Sequence, residues 1–161
     1  TINGKPVKAI VTFSASPFSE PYKIFVPSSV VLIMGTYREK GWANNVCISP
    51  DNTHLVLQDG LILSEDKSMV FLTYDDTLKE ISLPDETERI YSFAFYPCRE
   101  LVSIRLGKNA AKFDKCAFPN TGARSMRVHG KASGHLPTAL ERIMVSEEND
   151  TFTSVDGVLY S

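Results

Sequence analysis

One pattern is written twice between Leu78 and Ala123, and its period constrains the fold more than any other feature of the chain. The first copy is LKEISLPDETERIYSFAFYPCRE, and the second, which begins 23 residues later, is LVSIRLGKNAAKFDKCAFPNTGA. Apolar positions coincide in the two copies: Leu78 with Leu101, Ile81 with Ile104, Leu83 with Leu106, Ile90 with Phe113, and Ala94-Phe95 with Ala117-Phe118. Since one such copy cannot bury its apolar face alone, the repeat predicts a solenoid of stacked copies around a continuous core.

The composition is that of a folded protein with no preference for nucleic acid. The chain has 161 residues, of which 43% are apolar and 22% charged, and its net charge is −2. A nucleic-acid partner usually requires a basic face, which this balance does not supply. The longest apolar run, from Ile24 to Met34, is interrupted by Pro27-Ser28-Ser29 and is too short to span a bilayer.

Weaker copies of the repeat precede the clear ones. Ile10 lies 23 residues before Ile33, the same step that separates Ile90 from Phe113. In the segment from Ile24 to Val26, apolar residues form a short predicted strand, which the following proline ends because it lacks a backbone donor. These positions predict two degenerate copies of the repeat before residue 46. Each copy of the repeat is called a rung below.

A different unit interrupts the rungs. The string LVLQ-DG-LILS contains two apolar runs separated by Asp59-Gly60, a strong hairpin signal, and MVFLT follows as a third strand. The segment from Ile143 to Ser161 aligns with Val46 to Ser64 at an offset of 97 residues, so the hairpin unit also recurs.

These units divide the sequence into one repeat domain, residues 1–161. We expect degenerate rungs in 1–45, a strand with a hairpin insert in 46–77, rungs in 78–142, and a strand with a second, incomplete insert in 143–161. The first insert continues into the turn EDKS and the strand MVFLT, whereas the second stops at Ser161, the equivalent of Ser64. We therefore expect the chain to be a piece of a longer protein.

Together, the rung and the insert resemble the BspA-like leucine-rich repeats of bacterial cell-surface proteins. In that family a rung reads approximately I-x-L-P-x-x-V-x-x-I-x-x-x-A-F-x-x-C-x-x-L, to which ISLPDETERIYSFAFYPCREL is similar. The family's insert ends in a string like VDGVLYS, as here. The resemblance implies a right-handed, mainly β superhelix with a parallel sheet of rungs and inserted hairpins. It also implies display at the cell surface or secretion, and adhesion rather than catalysis.

Strand alternation separates an inward series from an outward one. Alternate residues of a strand point to opposite faces. The predicted inward residues are apolar: Ile24, Val26, Ile81, Leu83, Ile104, Leu106, Met126 and Val128. The outward position between them holds Phe25, Ser82, Arg105 and Arg127. We expect these four to line up across adjacent strands and to form a possible face for a protein or glycan partner; ordinary solvated sheet residues are the alternative.

No set of residues predicts a catalytic, cofactor or metal site. His129 and His135 flank GKASG, which lacks the pattern of a phosphate-binding loop. Carboxylates near the hairpins do not have the spacing of a calcium loop; they are Asp51, Asp59, Glu147, Glu148, Asp150 and Asp156. Three cysteines without a paired motif are interpreted as small apolar core residues; they are Cys47, Cys98 and Cys116. Asn149-Asp150-Thr151 is formally a glycosylation sequon.

Three functions are consistent with these observations. The first is a non-catalytic extracellular recognition or adhesion module that binds protein or glycan through a solenoid face, as repeat proteins often do. The second is a structural spacer of a surface protein. The third is a hydrolase that uses the loop carboxylates.

Overall fold

The computed structural model describes residues 2–13, 23–36, 46–98, 100–114, 117 and 140–161. These residues form fourteen β-strands and no helix. The strands are β1 (Ala9–Phe13), β2 (Ile24–Val26), β3 (Leu32–Thr36), β4 (Val46–Ile48), β5 (Leu55–Gln58), β6 (Leu61–Ser64), β7 (Met69–Thr73), β8 (Glu80–Ser82), β9 (Arg89–Ile90), β10 (Ser103–Leu106), β11 (Lys112–Phe113), β12 (Arg142–Val145), β13 (Thr153–Val155) and β14 (Val158–Tyr160).

Successive rungs pair as parallel strands in the register that the repeat predicts. Ile104 of β10 lies opposite Ile81 of β8, and β12 pairs with the other edge of β10. Each rung also supplies a second strand to another sheet, where Phe113 of β11 lies opposite Ile90 of β9. The degenerate first rung follows the same 23-residue step, because Ile10 pairs with Ile33. The predicted mainly β solenoid of stacked rungs is therefore confirmed.

A tight turn joins the two strands of each rung. In the turns 27–30, 84–87 and 107–110, the N–H of the fourth residue donates to the carbonyl of the first at 3.1, 3.1 and 3.3 Å. The fourth residue is buried in each turn, so the turns stack along the solenoid. At Gly107 they approach so closely that a Cβ atom would lie 2.6 Å from the Pro84 carbonyl oxygen, which explains glycine there.

An asparagine side chain ties the first hairpin unit to the turn of the rung before it. The Nδ2 group of Asn52 donates to the carbonyl oxygens of Pro27 and Val30, at 2.9 and 3.0 Å. Its Oδ1 atom accepts the backbone N–H groups of His54 and Leu55, at 2.8 and 3.0 Å. One buried amide thus satisfies four backbone groups and fixes the start of β5.

The second hairpin unit is held in the same way. The Nδ2 group of Asn149 donates to the carbonyl oxygens of Gly107 and Ala110, at 2.9 and 3.0 Å. Its Oδ1 atom accepts from the N–H groups of Thr151 and Phe152, at 2.9 and 2.7 Å. We call this arrangement, formed once by Asn52 and once by Asn149, the asparagine clamp.

The first hairpin forms as predicted. Both central residues of its turn have positive φ, 49° at Asp59 and 81° at Gly60, as a type I′ turn requires. Strands β5, β6 and β7 then form an antiparallel meander that joins the sheet of β9 and β11 through β7. The equivalent turn at Asp156 and Gly157 has φ of 51° and 78° and connects β13 to β14.

Strand β6 is buried on both faces and separates two apolar clusters. Leu61 and Leu63 belong to the larger cluster, which the rungs from β8 onward complete. Ile62 points the other way into the smaller cluster, with Val26 and Ile33 of the preceding rungs. Leu61, Ile62 and Leu63 are all apolar and buried because β6 is covered on both faces. A strand in that position does not alternate between apolar and polar residues.

The Ala-Phe pair fills the larger cluster as the sequence predicts. Ala94 and Phe95 are 0% and 1% exposed, and Ala117 is 1% exposed, whereas Phe118 lies outside the described residues. Most of the predicted inward residues are buried or half-buried; Met126 and Val128 lie outside the described residues. Trp42 does so too.

We predict that Phe95→Ala lowers the free energy of unfolding by about 3–5 kcal/mol, because it leaves a cavity in a packed core. Phe25→Ala is the matched control, since Phe25 is 64% exposed, and it should change stability by no more than about 0.5 kcal/mol. Denaturant unfolding measures both. Equal effects of the two substitutions would mean that the faces are assigned wrongly.

We also predict that Asn52→Ala and Asn52→Asp destabilise the protein to a similar extent, by about 2–4 kcal/mol at neutral pH. Aspartate retains an acceptor for the β5 amides but lacks the donors that reach the carbonyls of Pro27 and Val30. Asn109→Asp, at an exposed turn position, is the control. A stability of Asn52→Asp close to that of the native chain would show that the donor half of the clamp contributes nothing.

Candidate recognition surface

The outer face of the sheet formed by β8, β10 and β12 is the candidate surface, and it carries two rows of side chains. The first row consists of Glu80, Ser103 and Arg142, which lie opposite one another on the three strands. A guanidinium nitrogen of Arg142 lies 3.4 Å from a carboxylate oxygen of Glu80. This ion pair joins the two outer strands across β10, which agrees with the burial of Ser103 at 2% exposure.

The second row consists of Ser82, Arg105 and Met144. Arg105 is exposed, and within the described part of the chain its guanidinium forms no ion pair. Met144 beside it is 39% exposed. The row therefore places an exposed cation between a hydroxyl group and an apolar side chain, on strands that hydrogen bonds hold in register.

The predicted row of four is only partly assembled. Ser82 and Arg105 are neighbours, as expected, but Phe25 lies in a separate sheet of β2 and β4, opposite Cys47. Arg127 lies outside the described residues. The strand beside β10 is β12, so Met144 occupies the position next to Arg105.

The sequence did contain the signal for Met144. The offset of 97 residues that aligns the hairpin units also aligns Met144 with Cys47, and both occupy the outward middle position of a rung strand. The 23-residue step missed it because Met144 follows Arg105 by 39 residues.

The other sheet presents an arginine that is fully engaged. Arg89 of β9 forms a bidentate ion pair with Asp114, with nitrogen–oxygen distances of 2.8 to 3.1 Å. Its guanidinium carbon also lies 4.5 Å from the ring centroid of Tyr91, a cation–π geometry. Arg89 therefore contributes to the stability of its sheet, whereas Arg105 forms no ion pair with any other described residue.

The cysteines differ from their predicted role at one position. Cys98 is buried, as expected, and its thiol donates to the carbonyl of Asp75 at 3.1 Å. Cys47 is exposed, so the interpretation of this residue as core is wrong. The middle residue of β4 points outward, whereas its apolar neighbours Val46 and Ile48 are half-buried and pack against the smaller cluster. Cys116 lies outside the described residues.

The remaining chemical candidates occupy structural or exposed positions. The six hairpin carboxylates are not gathered into a site: within the described ranges, no three His, Cys, Asp or Glu side chains come together as metal ligands. Asp59 and Asp156 are turn residues with positive φ. The sequon residue Asn149 uses its Nδ2 group in the asparagine clamp, so a glycan on that nitrogen would break the clamp. His129 and His135 lie outside the described residues.

Local hydrogen bonds and burial shift two pKa values. The hydroxyl of Ser64, and then the backbone N–H and hydroxyl of Ser68, donate to the Asp66 carboxylate and lower its pKa. Burial raises the pKa of the Cys98 thiol to about 11, and the negative charges of Asp75 and Asp76 act in the same direction. The Cys98 thiol is therefore protonated at neutral pH, whereas Asp66 helps to order the turn before β7.

We predict that iodoacetamide at pH 8 alkylates Cys47 in the folded protein and leaves Cys98 unmodified, as peptide mass mapping would measure. The folded pKa of Cys98 lies above its unfolded value of about 8.5. The protonated, buried thiol therefore contributes fully to the free energy of unfolding below that pH. The contribution is lost as the pH rises toward the folded pKa of about 11. Equal alkylation of the two cysteines in the folded state would contradict the burial of Cys98.

The likeness to one solved structure agrees with this architecture. The chain is similar to a pneumococcal protein, described as the vaccine antigen PcpA, with a TM-score of 0.53 and 19% sequence identity. The likeness covers 80% of this chain and 28% of that one. A leucine-rich repeat protein from Eubacterium ventriosum is also similar, with a TM-score of 0.40 and 17% identity, over 76% of this chain and 42% of that one. The matched part of this chain thus covers less than half of either protein.

No curated protein sequence matches the chain. No helix among the described residues is long and apolar enough to cross a membrane. The family described as BspA type leucine rich repeat region matches residues 68–135, with six copies. That stretch includes the rungs of β8 to β11, on which the sequence resemblance was based. Residues 68–135 therefore match the family of BspA-type leucine-rich repeats that the sequence resembles.

Proposed function

We propose that the chain is a non-catalytic recognition module that binds a protein or glycan partner through the outer face of β8, β10 and β12. The observation that carries the proposal is the row of Ser82, Arg105 and Met144. Its central guanidinium is exposed and has no carboxylate partner among the described residues, and it lies beside an exposed thioether. Arginine and methionine are both enriched where proteins meet their partners.

The sheet supplies a rigid base for this row. Parallel hydrogen bonding fixes the spacing of Ser82, Arg105 and Met144, so little conformational freedom is lost in the backbone when a partner binds. The ion pair of Glu80 and Arg142 borders the row on the same face. Such a face is suited to an anionic group of a ligand, which the Arg105 guanidinium would bind by charge-assisted hydrogen bonds.

The proposal includes a location at the cell surface or outside the cell. The BspA-type repeat region and the likeness to a pneumococcal antigen support it. A structural spacer is the alternative in this setting, and it would leave the row of Arg105 without a ligand.

The test begins with a screen of the purified chain against immobilised host matrix proteins and glycans. We predict that Arg105→Glu weakens binding to a partner so identified at least tenfold. Lys112→Glu is the matched control, because it makes the same change of charge at an exposed position of β11, in the other sheet, and it should leave affinity within about twofold. Equal affinity of Arg105→Glu and the native chain would exclude this face, and a screen without any partner would favour the spacer.

A further inference from the structure

The outer face of β8, β10 and β12 carries one net positive charge. Its outward positions hold two arginines and one glutamate, Arg105, Arg142 and Glu80, and the other residues at these positions are uncharged. A nitrogen of Arg142 lies 3.4 Å from a carboxylate oxygen of Glu80, and Arg105 forms no ion pair with any other described residue. The net charge of the face therefore lies at Arg105, on the middle strand.

Glu80 limits the negative charge that a ligand can bring beside Arg105. Neighbouring strands are about 4.8 Å apart and two residues advance a strand by about 6.6 Å, so the Cα atoms of Glu80 and Arg105 are about 8 Å apart. A ligand with closely spaced negative charges would bring one of them near the Glu80 carboxylate, and like charges across an interface oppose binding. Sulfated glycans are such ligands, and they bind patches of many basic residues. A single anionic group fits this face better than a polyanion.

The position next to Arg105 is apolar and exposed. Met144 lies opposite Arg105 and is 39% exposed. A methionine side chain is flexible and polarisable, so it adapts to the apolar side chains of a protein partner. None of the outward positions of the three strands holds an aromatic ring on which the C–H face of a sugar could stack, because Phe25 lies in the separate sheet of β2 and β4. One cation beside an apolar contact favours a protein partner over a glycan.

We propose that the partner of this face is a protein that presents one acidic side chain next to an apolar one. The carboxylate binds the planar guanidinium of Arg105 through charge-assisted hydrogen bonds, and the apolar side chain packs on Met144. A second acidic group beside the first is rejected by Glu80. This inference rests on the proposed function, and it decides between the protein and the glycan that the proposed function allows.

The test compares defined probes on the isotope-labelled full chain. They are a glycine–serine peptide with a central Leu-Glu-Leu, the same peptide with Leu-Gln-Leu, sialyllactose, which has one carboxylate and no apolar side chain beside it, and a heparin tetrasaccharide. Titrations follow the amide chemical shifts of residues 82, 105 and 144. We expect the Leu-Glu-Leu peptide to bind at least tenfold more tightly than each of the other probes.

Variants of the protein separate the two halves of the site. Met144→Gln removes the apolar contact at similar side-chain length, so it should weaken binding of the Leu-Glu-Leu peptide at least fivefold and leave sialyllactose unchanged. Glu80→Gln releases Arg142 and removes the repulsion, so it should raise the affinity for heparin at least tenfold. Glu88→Gln is the matched control, because it makes the same change of charge at an exposed position before β9, in the other sheet, and it should change no affinity.

The outcomes distinguish this inference from the proposed function on which it rests. Equal binding of the two peptides, or shifts with none of the probes, would overturn the inference. So would tighter binding of a glycan than of the peptide if Arg105→Gln abolishes it, and that result would leave the proposed function intact. Binding of the peptide that Arg105→Gln does not change would overturn both.

Discussion

In each hairpin unit, the hydrogen bonds of a single asparagine side chain hold the start of the unit against the preceding turn. Where the chain leaves a rung turn to begin a hairpin, two carbonyl groups of the preceding turn and two amides of the new segment surround one side chain, and only the first of these carbonyls also accepts the backbone N–H that closes its turn. Asn52 satisfies all four, and Asn149 does so 97 residues later. Buried backbone groups without partners are costly. Both units consequently begin at an asparagine, and the rest of each hairpin takes its position from that point.

Because the rungs stack in register, the positions on the outer face are regularly spaced, whereas the side chains at these positions differ from rung to rung. Ile81 and Ile104 are held in the core at equivalent positions, so the residues between and beside them are free to differ without disturbing the packing. The same logic places Arg105 in solvent and engages Arg89 with Asp114 in the other sheet. Position in the rung, rather than residue type, decides which of these arginines is paired with a carboxylate.

Much of this fold could be predicted because its signals are local and periodic. The 23-residue step predicted the pairing of Ile10 with Ile33, and Asp-Gly predicted the two type I′ turns, since few residues tolerate positive φ. The neighbour of Arg105 was not predictable from that step, because the chain runs 39 residues before it supplies Met144. Cys47 was misassigned because residue type was given more weight than strand alternation, which places it outward. The asparagine clamp was not predicted either, because the bonds that its Nδ2 group donates join residues that the sequence separates by 22 to 42 positions.

Strand β6 has a consequence for how the chain unfolds. Repeat proteins commonly behave as a series of units, each coupled to its neighbours, so that one end can fray while the other stays folded. Here Leu61, Ile62 and Leu63 alternate between two clusters, and neither cluster can keep its packing if the strand between them leaves. The shared strand thus makes the loss of either cluster costly to the other, and it turns a string of semi-independent rungs into one cooperative body.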